Sequence, residues 1–265
     1  MKENSQGNAT ATFWEHLDEL RGCIIRILVV TVVLGMVAFC FKNQLFAIVL
    51  APRSSDFISY RLLGVEPFSI NLMNTGLTEQ FMFHMKTALY AGLLIASPYV
   101  LYELFRFVSP ALYDRERHYA TRIVGAAYAM FIIGTLLNYF LIFPLTVRFL
   151  GTYQVSPDVR NMLTLQSYMD TLIGMSFVMG VVFELPVVCW LMAMMRVLKA
   201  SFMRQTRRHA VVIILVIAAI ITPTTDAFTL LVVALPIWLL YEASIAIVAI
   251  TNRESDNQNN QVSKQ

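Results

Sequence analysis

Long stretches without charged residues dominate the chain and recur along its length. Most of them approach the roughly 20 apolar residues that an α-helix needs to cross a bilayer. Short segments that carry charges, proline or glycine separate these stretches. Six spans are predicted, at 22–41, 81–107, 123–147, 171–195, 210–222 and 227–241. The pattern therefore predicts an all-α fold, that of a polytopic helical membrane protein with six transmembrane helices.

The last two predicted spans are short. At about 1.5 Å per residue the fifth, 210–222, covers about 20 Å of a hydrocarbon core about 30 Å thick. The uncharged run of the sixth ends at Tyr241, although apolar residues continue past Glu242 to Ile250. A helix this short requires a thinned bilayer or an end held in a protein cleft. We therefore expect a concave groove beside the short fifth and sixth spans.

The distribution of basic residues predicts the orientation. With six spans, most Lys and Arg residues fall on the side that holds the N-terminus. Cytoplasmic loops of membrane proteins carry such an excess, so both termini are predicted to be cytoplasmic. Residues 1–255 are predicted to form a single six-helix domain, and the polar residues 256–265 a disordered tail. The longest external segment, 42–80, is expected to fold over the outer face of the bundle.

Composition excludes several classes of protein. Apolar residues make up 57% of the chain and charged residues 14%, which excludes disorder and a soluble domain of any size. The three cysteines lack the spacing of a metal site. The sequence contains no glycine-rich phosphate loop, no paired-histidine metal motif and no nucleophile elbow. We therefore predict no enzyme activity, no cofactor, no metal and no nucleic-acid partner.

An acidic face precedes the first apolar run. Glu15, Asp18 and Glu19 are spaced i, i+3 and i+4, so their carboxylates share one face of a helix. One interpretation is a solvated first turn, because acidic residues favour helix N-termini. The other is a binding site for a cationic ligand. Glu116, in a loop predicted on the same side of the membrane, provides a second acidic position.

Two further acidic residues interrupt or border apolar runs. Glu184 lies near the middle of the fourth span, where a charge costs at least about 2.5 kcal/mol. Its side chain is therefore expected to be protonated, hydrogen-bonded to a neighbouring helix, or exposed to a wet groove. Pro186 removes a backbone donor two residues later and frees the carbonyl of Val182. Asp226 lies near the outer interface, where a helix cap explains it equally well.

Four segments together resemble one family, TatC. They are "HLDELR" at 16–21, "FVSPALYDRER" at 107–117, "FELP" at 183–186 and "TPTTD" at 222–226. Their order and span positions are similar to those of TatC over roughly residues 13–245. Two positions depart from the family pattern. Cys23 replaces a second basic residue, for which Arg26 is a candidate substitute, and Leu230 replaces a frequent glutamine.

The resemblance implies a function for the acidic face. TatC is the multi-spanning receptor subunit of the twin-arginine translocase, which exports folded proteins across the cytoplasmic (inner) membrane using the proton-motive force. By position, Glu19 and Glu116 would bind the paired arginines of a signal peptide, with Phe107 beside them. Guanidinium and carboxylate groups meet in a planar fork that lysine does not reproduce. The implied partners are single-span TatA or TatB subunits, twin-arginine precursors, and further copies in a receptor complex.

Two other functions stay open at this stage. A proton-coupled secondary transporter would use Glu184 and Asp226, and transporters also have short spans and mid-span carboxylates. The missing internal repeat and the acidic site near the N-terminus argue against it. A scaffold without a ligand is the third possibility. In the translocase interpretation, Glu184 faces a groove lined by the fourth and fifth spans and offers a hydrogen bond to the single span of a partner subunit.

Overall fold

A computed structural model describes residues 4–54, 56–62, 64, 72–108, 120–153, 156, 162–222 and 226–262. The described residues are almost entirely helical. The helices are α1 (Asn4–Phe39), α2 (Lys42–Leu50), α3 (Ile58–Leu62), α4 (Glu79–Val108), α5 (Ala120–Leu137), α6 (Phe143–Thr152), α7 (Leu165–Val182), α8 (Leu185–Met194), α9 (Ala200–Gln205), α10 (Arg207–Ile221) and α11 (Ala227–Val262). A 3-10 turn at Ala51–Arg53 and a π-helical segment at Asn138–Ile142 complete the helical elements of these ranges.

Five helical stretches of the described residues are long and apolar enough to cross a membrane. They are Trp14–Phe39, Glu79–Phe107, Arg122–Thr152, Leu165–Met194 and Ala227–Arg253. They correspond to the predicted spans one to four and six, so the helical, multi-pass character of the chain is confirmed. At the predicted fifth span the structure has α10, a helix of only 15 residues, as its short apolar run indicates.

The last helix is longer than the sequence predicts. It continues past Tyr241, where the uncharged run ends, and its apolar stretch reaches Arg253. Glu242 interrupts the run, but its carboxylate accepts a hydrogen bond of 2.6 Å from Arg207, which offsets the charge. The expectation of a short sixth span was therefore wrong. The helical backbone then extends to Val262. Two predictions from the sequence stay predictions: the single domain over residues 1–255 and the disordered tail over residues 256–265.

The chain divides into two compact units, and the first comprises Met1–Lys42 and His84–Tyr128. Within it, α1 and α4 approach each other closely at a pair of glycines. A Cβ atom added to Gly92 would lie 2.4 Å from the backbone nitrogen of Gly35 and 2.7 Å from the carbonyl oxygen of Thr31. Small residues allow such backbone contact between membrane helices. Larger residues at this crossing would force the helices apart.

The second unit comprises Asn43–Phe83 and Ala129–Gln265. Its main apolar core is built by helices α7, α10 and α11 and the π-helical segment, with Met179, Ala218, Val233 and Ile237 completely buried. A second apolar cluster lies at one end of the unit, around Phe143 and Met169. The side chains of Phe46, Val49 and Leu50 on α2 pack against that cluster. Helix α2, in the segment predicted to be external, is thus held against the ends of the third and fourth spans.

Two prolines interrupt the long helices of this unit. Pro186 lacks an N–H group, and the fourth span is accordingly divided at Phe183 and Glu184 into α7 and α8. Pro144 leaves the carbonyl of Phe140 without its usual backbone donor, and the Ser59 hydroxyl donates to that carbonyl instead. The π-helical segment immediately precedes this point. Prolines thus explain both irregularities of the third and fourth spans.

A small sheet and the hydroxyl groups of three tyrosines hold parts of the segment 42–80, which is predicted to be external, against the rest of the second unit. Residues Leu72–Met73 pair in parallel with Leu163–Thr164, an element that the all-α prediction missed. The hydroxyl of Tyr60 shares its proton between the carbonyl oxygens of Pro52 and Pro144, at 2.9 and 3.0 Å. Tyr139 and Tyr168 donate to the carbonyls of Ile48 and Val49 at the end of α2. The tyrosines therefore satisfy backbone acceptors that α2 and the following turn leave open.

Candidate functional site

The acidic face lies on α1, within the helix that continues into the first span. Glu15, Asp18 and Glu19 are all exposed, and 66% of the Glu19 side chain is accessible. Since α1 begins at Asn4, these residues stand well inside the helix rather than in its first turn. The three acidic residues therefore do not form the first turn of a helix, as the alternative interpretation supposed. Their side chains are free to meet a ligand that approaches from water.

His16 joins two of the predicted signal-binding residues. Its imidazole stacks on the ring of Phe107, with centroids 4.4 Å apart and planes inclined by 19°. Its Nδ1 lies 3.8 Å from Oε2 of Glu19, which makes an ion pair when the imidazole is protonated. The three side chains thus form one patch, contributed by α1 and the end of α4. The sequence analysis included His16 only as part of the segment 16–21 and did not predict these contacts.

The second predicted acidic residue, Glu116, lies outside the described residues. It belongs to the segment 109–119, which follows directly after α4. Phe107 stands two residues before this segment and is half-buried. The segment that carries Glu116 therefore begins two residues after Phe107 in the chain. Its role stays a prediction.

A partly buried ion pair lies farther along the same two helices. Arg26 donates from Nε and from a terminal nitrogen to Oε2 of Glu103, at 3.1 and 2.8 Å. The Tyr99 hydroxyl donates to Oε1 at 3.1 Å. The Glu103 side chain is only 4% exposed, so its charge depends on these donors. The sequence analysis considered Arg26 only as a substitute for a second basic residue and did not predict its pairing with Glu103.

This pairing bears on the departure at Cys23. Cys23 is buried, with 2% of its surface accessible, and its thiol replaces the second basic side chain of the family pattern. Arg26 was proposed as a substitute for that basic residue. In the structure its guanidinium is committed to Glu103. Arg26 therefore links α1 to α4, although 48% of its own side chain is exposed.

Glu184 stands at the break between α7 and α8. The residue is half-buried, and its Oε1 atom is fully buried without a hydrogen-bond partner among the described residues. A small cavity of about 240 Å³ lies between α7 and the end of α10, beside Asp170 and Ile221. The described residues that line it do not include Glu184. The prediction that Glu184 faces a groove between the fourth and fifth spans is thus untested.

Asp226 caps the last helix. Its Oδ1 accepts a hydrogen bond of 2.7 Å from the backbone nitrogen of Thr229, the arrangement of an N-cap. The helix cap that the sequence analysis considered for Asp226 is therefore present. Leu230, which replaces the frequent glutamine, packs against the main apolar core. The polar role of that position is replaced by apolar packing.

Comparison with known proteins agrees with this architecture. The family model described as "Sec-independent protein translocase protein (TatC)" matches residues 15–236. The TatC protein of Blattabacterium sp. subsp. Periplaneta americana is 32% identical over 250 residues, which cover 89% of this chain and 94% of the relative. The TatC protein of Desulforapulum autotrophicum is 32% identical over 253 residues, covering 96% of this chain and 90% of the relative.

A solved structure gives the same result. The crystal structure of the twin arginine translocase receptor TatC superposes on this chain with a TM-score of 0.75 at 30% identity. The match covers 89% of this chain and 99% of that protein. These matches confirm the translocase interpretation over a proton-coupled secondary transporter or a scaffold. The chain belongs to the TatC family and is a multi-pass membrane component of the twin-arginine protein translocase.

Proposed function

We propose that this chain is the signal-peptide receptor of its translocase. The observation that carries the proposal is the contact of His16 with both Glu19 and Phe107. An exposed carboxylate of α1 and an aromatic ring near the end of α4 thus contact the same imidazole. A twin-arginine peptide offers guanidinium groups to the carboxylate and an apolar surface to the ring. Glu116, in the segment 109–119 that follows α4, is proposed as the second carboxylate.

The chemistry of this patch favours arginine over lysine. A guanidinium binds a carboxylate through two parallel hydrogen bonds and also stacks on aromatic rings. A lysine ammonium provides the charge without the planar fork. Each charged hydrogen bond contributes about 1.5–3 kcal/mol when partly desolvated. Two carboxylates that each bind one arginine would therefore distinguish a paired-arginine signal from a paired-lysine one.

The proposed partners follow from the translocase family. Single-span TatA or TatB subunits, precursors with twin-arginine signals, and further copies of this chain would assemble with it in the cytoplasmic membrane. Export of folded proteins would be driven by the proton-motive force. Glu184 is proposed to bind a polar residue in a partner's single span, because its buried Oε1 atom has no hydrogen-bond partner among the described residues. Asp226, beside its cap contact, is proposed to border the same groove.

The proposed topology has six spans, with α10 as the fifth, and both termini in the cytoplasm. Reporter fusions test it directly. Fusions at residues 60 and 158 should report the outside, and fusions at residues 115, 202 and 258 should report the cytoplasm. The excess of basic residues on the side of the N-terminus motivates this arrangement. A cytoplasmic signal at residue 158 would contradict the six-span model.

Crosslinking of a precursor tests the receptor function. A photoreactive group placed beside the paired arginines of a signal should crosslink to the wild-type chain near Glu19. Glu19→Gln should reduce the crosslink about tenfold, since it removes a charged acceptor. Asp18→Asn removes a neighbouring carboxylate from the same exposed surface and serves as the matched control.

Three comparisons decide the result. Glu116→Gln should act like Glu19→Gln, and a lysine-pair signal should crosslink less to the wild-type chain. All variants should insert into the membrane in equal amounts, which a blot of the membrane fraction measures. Equal crosslinking by the wild type and the Glu19→Gln/Glu116→Gln double variant would refute the proposed receptor site.

A further inference from the structure

A basic cavity lies within the second unit, between the segments that carry Arg196 and Arg253. Its volume is about 690 Å³, within the range of small-molecule sites. Four basic residues line it: Arg196, Lys199, Arg204 and Arg253. All four are exposed, and no acidic residue occurs among the described residues of the lining. The cavity is therefore a site of concentrated positive charge.

The cavity lies near the ends of two helical stretches that are long enough to cross a bilayer. One stretch ends at Met194, two residues before the lining residue Arg196, and the other ends at Arg253, which lines the cavity. Apolar residues of the same lining, Leu198, Ala249 and Ile250, stand next to the charges. Ile250 is 60% exposed. This combination of cationic and exposed apolar side chains matches the level at which lipid headgroups meet acyl chains.

The backbone at Arg196 gives an independent indication. Arg196 has a φ angle of 59°, and it is the one described residue other than glycine with a positive φ. It follows the C-terminus of α8, where Val197 and Leu198 both donate to the carbonyl of Met192. Glycine is the usual residue at such a position, because a Cβ atom strains the left-handed conformation. An arginine here is kept at the expense of backbone strain, which indicates a use for its side chain.

We propose that this cavity binds the phosphodiester headgroup of an anionic phospholipid. The guanidinium and ammonium groups meet the phosphate, and the exposed apolar residues contact the acyl chains. The lipid source is favoured over a free phosphate because apolar side chains share the lining with the charges. In the proposed topology the lipid belongs to the cytoplasmic leaflet. The site is separate from the residues proposed to bind signal peptides.

Native mass spectrometry of the full chain in detergent tests the proposal. The probe is phosphatidylglycerol, compared with phosphatidylcholine of the same acyl chains. The wild type should bind phosphatidylglycerol more tightly, and Arg204→Gln should weaken it about fivefold. Arg208→Gln removes one exposed charge four residues farther along, outside the cavity, and should leave the affinity unchanged. Arg196→Gly should weaken lipid binding while it keeps or raises the melting temperature, since glycine relieves the strain.

Four outcomes would overturn the site. If Arg204→Gln and Arg208→Gln lose equal affinity for phosphatidylglycerol, the lipid binds through general surface charge and not in the cavity. Equal binding of phosphatidylcholine would remove the role of headgroup charge. Displacement of phosphatidylglycerol by inorganic phosphate at equal concentration would make it a site for the free anion. Binding that occurs only after deletion of residues 254–265 would show that the acidic tail, with Glu254 and Asp256, occupies the cavity instead.

Discussion

Arg26 and Glu103 are separated by 77 positions in the sequence, and they form an ion pair of 2.8 Å between α1 and α4. Each helix contributes to the acidic patch nearer its end. Glu19 is two turns from Arg26 on α1, and Phe107 is one turn from Glu103 on α4. The pair therefore fixes the relative position of the two helices close to the residues proposed to bind the signal.

Removing the cation of this pair should destabilise the protein. Arg26→Gln leaves the carboxylate of Glu103 buried with Tyr99 as its remaining donor, and loss of one partner of a buried pair is strongly unfavourable. We expect the melting temperature in detergent to fall by roughly 5–10 °C. The double variant Arg26→Gln/Glu103→Gln should recover part of the loss, because it leaves no unpaired charge.

A second ion pair provides the control for this comparison of single and double variants. Arg207 and Glu242 lie 2.6 Å apart, but the Glu242 side chain is 28% exposed where Glu103 is 4% exposed. Water therefore compensates Glu242 when its partner is lost, and Arg207→Gln should have the smaller effect. If the effects of Arg26→Gln and Glu103→Gln simply add in the double variant, the pair does not couple the two helices energetically.

His16 should matter through its ring. His16→Ala removes both the stack on Phe107 and the polar contact with Glu19, and should weaken precursor binding about threefold. His16→Phe retains the stack and should lose less. The measurement is the binding of a labelled signal peptide to purified protein. His209→Ala, at an exposed histidine on α10, is the control, and an effect of His16→Phe as large as that of His16→Ala would contradict a role of the stack.

The elements predicted from sequence were those with local causes. Spans one to four follow from long apolar runs with few charges, and the short fifth helix follows from the limited length of its run. The sequence analysis noted that Pro186 frees the carbonyl of Val182, but the division of the fourth span at Phe183 and Glu184 was not predicted. The contacts of His16 with Phe107 and of Arg26 with Glu103 depend on which faces of α1 and α4 meet. A single sequence does not contain that information, because each residue is equally acceptable as an interfacial charge or ring. The parallel pairing of Leu72–Met73 with Leu163–Thr164 was not predicted for the same reason, because it depends on which distant segments meet.

The stability of the folded protein should depend on pH through Tyr60, in the segment predicted to be external. Desolvation in its buried position raises the pKa of this phenol above its usual range. Its folded form therefore holds the proton more tightly than the unfolded chain, and this stability is complete below the unfolded pKa of about 10. It is lost as the pH rises above that value. The wild type should show this loss in thermal unfolding between neutral and strongly alkaline pH.

The variant Tyr60→Phe isolates the hydroxyl. It lacks the donor to Pro52 and Pro144, so it should be less stable by about 1 kcal/mol at neutral pH. Its alkaline loss should be smaller than that of the wild type, because one buried phenol no longer ionises. Limited proteolysis of the external segment should also accelerate. Equal alkaline losses in both proteins would show that Tyr60 is not the group responsible.

Glu184 provides the sharpest test of the proposed partner site. Its buried Oε1 atom has no hydrogen-bond partner among the described residues, and an unsatisfied polar atom at this depth is costly. A polar residue on a partner's span, or water in a groove, would supply the missing bond. Glu184→Ala should therefore reduce co-purification of TatA or TatB subunits and reduce export. Crosslinking of the precursor near Glu19 should stay unchanged, and Asp170→Ala, on the same span, is the control.

Cysteine labelling distinguishes a wet groove from a dry contact. In a chain with Cys23, Cys40 and Cys189 replaced by alanine, a cysteine at position 184 should react with a water-soluble maleimide. Cysteines at positions 181 and 188 should react less, because these side chains are about half exposed on the protein surface and would face lipid. If position 184 is protected and Glu184→Ala exports normally, Glu184 is instead a neutral side chain bonded within the protein, and the partner site must lie elsewhere.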